Sequence, residues 1–149
     1  MSGSLNHSPA DIMRHTLVEL GLGTLPTSRE DWPISYSQEP DSPDDAITLY
    51  DTTSRIDGRS HLSGETWLHY GIQVRIRSYA VSPGRTKANA ITEALDKDIQ
   101  YRPITIAGTT YIVYTVTRTT DIVSLGKEVR DTKRNLFTIN AVVALRQTS

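Results

Sequence analysis

The side chains that could do chemistry are few and scattered. The 149-residue sequence holds four histidines, His7, His15, His61 and His69, and no cysteine. No two of these histidines form an HExxH pattern or a close helical pair, so a metal centre would have to be assembled from distant positions. The lack of cysteine excludes thiolate metal sites, a disulfide framework and a cysteine nucleophile. Asp44 and Asp45 are adjacent carboxylates with Asp41 close by, but general acid–base work needs acids held in a cleft with separated pKa values. Here they sit in a Pro-Asp-Ser turn and read as solvated. Gly21-Leu22-Gly23 lacks the third glycine and the preceding strand of a dinucleotide site and reads as a helix stop. Pro83-Gly84-Arg85-Thr86-Lys87 lacks the Walker spacing and reads as the opening of a helix. No GxSxG elbow occurs. No catalytic residue, metal or cofactor is expected.

The cations are the better-organised group. Arg75 and Arg77 alternate with Ile72, Val74 and Ile76, which predicts a strand with one apolar face and one cationic, exposed face. Arg55 and Arg59 stand in one polar stretch, and Lys127, Arg130, Lys133 and Arg134 in or next to another. Residues 1–66 carry eleven acids and four bases, a balance of −7, while residues 67–149 carry twelve bases and six acids, a balance of +6. Such a division allows acidic and basic poles that attract between copies, or mixing of both signs on one surface. Phosphate contact is a further use of these cations. Against it stand the overall charge of −1 and a supply of one Phe and two Trp for base stacking. The eight cations are therefore read as contacts to other protein subunits.

The elements that would position them follow from capping and periodicity. Ser8-Pro9 opens a helix of about three turns whose buried stripe is Ile12, Met13, Leu17 and Leu20. Pro26, Pro33, Pro40 and Pro43 break the next stretch, leaving Ile34–Ser37 as a short edge strand. Ala46–Tyr50 reads as a strand, 51–66 as a long exposed loop, and Trp67–Tyr79 as the main strand of the first half. Ser82, by the same cap-then-proline pattern, predicts a second helix with Ala88, Ile91, Leu95 and Ile99 inward. Ile104–Ile106 and Tyr111–Val116 flank Ala107-Gly108-Thr109-Thr110 as a hairpin. A loop over 119–133 precedes a last strand in which Phe137, Ile139, Ala141, Val143 and Leu145 alternate inward. Trp67 and Phe137 are assigned to the core.

The length suits a single domain over 1–149, with 1–7 as a flexible tail. The fold class is α+β: an antiparallel, possibly mixed, sheet of about five to six strands with two helices on one face. No apolar run approaches the ~20 residues of a membrane span, and no signal peptide is visible, so a cytoplasmic protein without a membrane partner is expected.

The succession of the strand Trp67–Arg77, the helix carrying Ala88, Ile91 and Leu95, the hairpin at Gly108, the loop with Ser124-Leu125-Gly126-Lys127 and the strand Asn135–Asn140 resembles the tail-terminator and minor-capsid proteins of long-tailed bacteriophages. The acidic stretch Pro40–Asp45 before the strand at Ala46–Tyr50 fits the same pattern. The resemblance covers about residues 8–146 and rests on order and texture. It implies a homo-oligomeric, hexameric ring at the head-proximal end of the virion tail, assembled in the host cytoplasm. Its partners would be the tail tube protein and the head–tail connector, with DNA only as cargo passing through. A head–tail connector or head-completion role is the neighbouring reading. A small-ligand or nucleic-acid-binding domain is the reading from another class.

Overall fold

The computed structural model describes residues 5–25, 32–38, 44–59, 66–127 and 134–148, with side chains left out at 53–59, 66–68 and 127. Helix α1 spans Pro9–Glu19, strand β1 Ile34–Tyr36, β2 Ala46–Arg59 and β3 Thr66–Ser78. Helix α2 spans Val81–Lys97, and β4 Arg102–Ile106, β5 Thr109–Arg118, β6 Val123–Lys127 and β7 Asn135–Gln147 follow. The seven strands form one curled, mixed sheet in the order β1-β2-β3-β7-β5-β4, with β6 also paired to β7. Only β1, parallel to β2, breaks the antiparallel pattern. The class is α+β, as expected, with one strand more than the upper estimate.

The start of α1 follows from its sequence. Ser8 Oγ accepts from the Asp11 N–H at 3.1 Å, and Asp51 Oδ1, from β2, accepts from the Ala10 N–H at 2.8 Å. Two of the unsatisfied donors at a helix start are thereby met, one of them by a strand on which the helix lies. Ala10, Ile12, Met13, Thr16 and Leu17 are fully buried. This helix touches β1, β2, β3 and β4, so it lies inside the curl of the sheet, while α2 covers β3, β5 and β7. The two helices and the inward residues of the strands share one core, from Ile47, Leu49, Ile72, Val74 and Ile76 to Phe137, Ile139, Val143 and Leu145. The β4–β5 connection is a two-residue turn, Ala107-Gly108, between the paired Ile106 and Thr109. Both turn residues have positive φ, 48° and 86°. That is the type I′ requirement, which matches the right-handed twist of the strands.

Three expectations change. The stretch 51–66 was expected as loop, yet β2 continues to Arg59 and β3 begins at Thr66. The pairs Ser54↔Tyr70, Ile56↔Leu68 and Arg59↔Thr66 continue the ladder as a two-stranded ribbon. Likewise 119–133 contains β6, which pairs with β7 through a shift between Ser124 and Gly126. Gly126 has a φ of 75°, the left-handed residue of a bulge, and this breaks the alternation that would have marked a strand. Third, Ser82 is not the cap of α2. The helix begins two residues earlier than that cap would set it, its N-cap is Ala80 without a side-chain bond, and Ser78 Oγ instead donates to the Ala80 carbonyl at 2.6 Å. Pro83 is still tolerated, because a first-turn residue needs no intrahelical N–H bond. Phe137 is core at 2% exposure, and the side chain of Trp67 lies outside the described residues.

The first turn of α2 meets the sheet at Gly84. A Cβ placed there would stand 2.7 Å from Phe137 Cε2 and 2.8 Å from Ser78 Cβ. In an exposed helix Gly→Ala stabilises by about 1 kcal/mol. Here the crowding reverses the sign, and Gly84→Ala is expected to destabilise by roughly 1–3 kcal/mol in urea unfolding.

Candidate assembly surface

The cations singled out in the sequence separate into distinct settings. Arg75 and Arg77 do share the sheet face opposite the helices. Arg75 lies in a row with Thr48 and Thr138, and Arg77 in a row with Ala46 and Leu136. That face is not the exposed one expected: Arg77 is 2% exposed and Arg75 half-buried. Arg77 Nε donates to the Asp44 carbonyl oxygen at 3.1 Å. Arg134 Nε meets Asp44 Oδ1 at 2.8 Å. The Asp45 carboxylate accepts from the Tyr79 N–H at 3.0 Å, and Asn135 Nδ2 donates to the Tyr79 carbonyl at 3.2 Å. Asp44 and Asp45, read as solvated, thus tie the start of β2 to the starts of α2 and β7. Two described ion pairs, Asp44–Arg134 and Glu19–Arg102, join the acidic half of the chain to the basic half within one molecule. Arg55 and Arg59 lie on the outer part of β2 and Lys127 at the end of β6, known here by backbone position. Arg130 and Lys133 lie outside the described residues.

Apolar exposure is concentrated elsewhere. Among the described residues six large apolar side chains are exposed, and four of them, Tyr79, Val81, Val123 and Leu125, flank the start of β7. There Asn135 pairs with Ser78 on one side and Lys127 on the other. Tyr79 and Val81 lie on the β3 side, beside the polar links of Asp44, Asp45 and Arg134, and Val123 and Leu125 on the β6 side; exposed apolar side chains next to charged ones suit protein contact. Sequence reading missed this grouping, although Val123-Ser124-Leu125 was an apolar signal inside a stretch taken as loop.

Where β5 leaves β7 and β6 takes over, an open cleft is lined by Asp96, Arg118, Thr119, Thr120 and Asp121. Arg118 donates to both Asp96 oxygens, at 2.8 and 2.9 Å, and lies 3.6 Å from Asp121. The hydrogen bond from Arg118 holds the Asp96 carboxyl below its ordinary pKa, so both partners stay ionised. An acid pinned in its charged form by a bidentate arginine is a structural tie between α2 and β5, unsuited to proton transfer. Among the described residues no cluster of three or more His, Asp or Glu side chains is placed to hold a metal, and no helix is long and apolar enough to cross a membrane.

The fold is a small α+β sheet protein with exposed apolar and charged side chains about the start of β7. Over residues 16–145 the chain matches, and so belongs to, the family of bacteriophage tail terminator proteins. Its role is that of a structural component of a phage-type virion. Among curated protein sequences nothing matches. Of solved structures, it is similar to a chain from the virion of a native gene transfer agent particle, at 9% identity and a TM-score of 0.44, covering 76% of this chain and 78% of that one. A second solved chain is similar at 13% identity and a TM-score of 0.41, covering 79% and 82%. These are distant likenesses of fold.

Two outcomes follow for the charged groups. Arg77→Glu puts an uncompensated anion in a buried site and is expected to cost more than about 3 kcal/mol in denaturant unfolding. A charge reversal there therefore tests folding, not surface contacts. Asp96→Asn should cost under about 1 kcal/mol at pH 7, since the pair is partly exposed and screened. Because the folded carboxyl titrates below its unfolded value, its contribution is present above the unfolded pKa and is lost as pH falls through the folded one. The difference between wild type and Asp96→Asn should thus vanish as pH is lowered through the depressed pKa of the folded carboxyl.

Proposed function

We propose that the chain forms a closed ring of identical copies on the head-proximal end of the tail tube. The ring stops tube polymerisation and offers its other side to the head–tail connector. The observation that carries this reading is the family match across residues 16–145, nearly the whole chain. Its support in the chain itself is the exposed apolar and charged side chains on both sides of the start of β7. Copies in a ring touch through two different surfaces, which suits a chain whose halves carry −7 and +6. The six copies implied by the family resemblance, and contacts made through Arg55, Arg59, Arg75, Lys127, Arg130, Lys133 and the rim at Arg134, belong to the same reading. The buried Arg77 would act there only by holding Asp44 in place.

The test is electron microscopy of particles made by a phage deleted for this gene. Headless tails of uncontrolled length are the expected outcome. Tails of normal length beside unattached, filled heads would overturn it in favour of a connector role. Intact infectious particles would overturn both.

A further inference from the structure

Among the described residues the sheet leaves two stretches of strand edge open, one on each side. On one side β1 covers β2 only at Ile47–Leu49. From Asp51 to Arg59, β2 has β3 as its one paired strand among the described residues. On the other side β6 is paired, among those residues, to β7 alone, and β4 ends opposite Val113, leaving Thr115–Arg118 of β5 beyond its reach. An open edge presents a row of N–H and C=O groups, a template for strand addition unless charge, proline or cover blocks it. The middle of β6 has neither lysine nor proline, and Val123 and Leu125 are 40% and 50% exposed.

Strand direction fixes how the two edges can meet. Both β2 and β7 are antiparallel to β3, and β6 is antiparallel to β7. A second copy set beside the first in the same orientation therefore brings its β2 antiparallel to β6 of its neighbour. The alternation β3-β7-β6 then continues into β2-β3 of the next copy without a break, with all helices on one face. Because the two edges differ, the contact is heterologous, the kind that closes rings; pairing either edge with itself would give a two-fold dimer. The ring reading selects the first arrangement, and charge does not oppose it: Asp51 and Asp57 balance Arg55 and Arg59 along the β2 edge, and Lys127 is the one charge on β6.

We propose that the seam between subunits is a strand addition in which the β2 edge, Asp51–Arg59, of one copy pairs antiparallel with the β6 edge, Val123–Lys127, of the next. This rests on the ring reading above and names its interface. The cover supplied by β1 and β4 lies at opposite ends of the two edges, so adjacent copies are offset along the strands. Closure then requires strands inclined to the ring axis, as in a barrel.

The chain has no cysteine of its own, and Thr52, Thr117 and Ser124 are exposed, which makes cross-linking clean. Virions carrying Thr52→Cys with Ser124→Cys, and others carrying Thr52→Cys with Thr117→Cys to sample an offset register, are treated with a short bis-maleimide. At least one pair is expected to yield a ladder of covalently joined copies on a denaturing gel, and each single variant no ladder. No ladder from either pair, in particles with tails of normal length, would overturn the seam while leaving the terminator reading intact. Linkage of Ser124→Cys to the tube protein in place of a second copy would overturn it too.

Discussion

Everything in the sheet depends on where its last strand goes. Strand β7 lies between β3 on one side and β5 and β6 on the other, so it joins two groups of strands that otherwise share no ladder. It runs beside β3 from Ala144 to Asn135. Its inward residues, Phe137, Ile139, Ala141, Val143 and Leu145, are at most 2% exposed, and Leu136, Thr138 and Ala144 on the other face are also buried. Burying each large apolar side chain contributes roughly 1.5–3 kcal/mol, so this strand gathers a large share of what holds the halves together. A strand whose apolar row packs into the core and whose two edges are both paired has no freedom of register, since a one-residue slip would turn that row outward.

With β7 fixed, the helices take the only open places. The curl of the sheet makes a hollow that α1 fills from β1 round to β4, while α2 lies over the three central strands. The polar ties are placed where these layers would slide. Asp51 holds the start of α1, Arg118 holds Asp96 on α2, and Glu19 and Arg102 pair α1 with β4. The ion pairs Glu19–Arg102 and Asp44–Arg134 tie the acidic half of the sequence to the basic half. Part of its charge is neutralised inside the monomer, and the remainder is free to act between molecules.

How much of this was legible in the chain depends on the range of the signal. Local grammar was reliable: Ser8-Pro9 caps α1, the alternation around Val74 and Ile139 marks central strands, and Ala107-Gly108 makes a turn. Features set by partners far along the chain were not. Arg77 alternates like a solvent-facing residue, yet Asp44, thirty-three positions earlier, receives its guanidinium. The outer ribbon of β2 and β3 is polar because a hairpin pair is held by its ladder, so composition mimics a loop. The bulge at Gly126 likewise hid β6, and with it the apolar patch at the start of β7. The family resemblance was readable because it rests on the order of elements, which survives such local errors.

The central position of β7 also has a consequence in time. It is the last described strand to be synthesised, and until it has left the ribosome the earlier strands can form only the separate groups β1-β2-β3 and β4-β5. Long-range pairing of this kind is slow compared with helix or hairpin formation. A subunit therefore gains its complete sheet, and any surface built at the start of β7, only after its synthesis has passed that point.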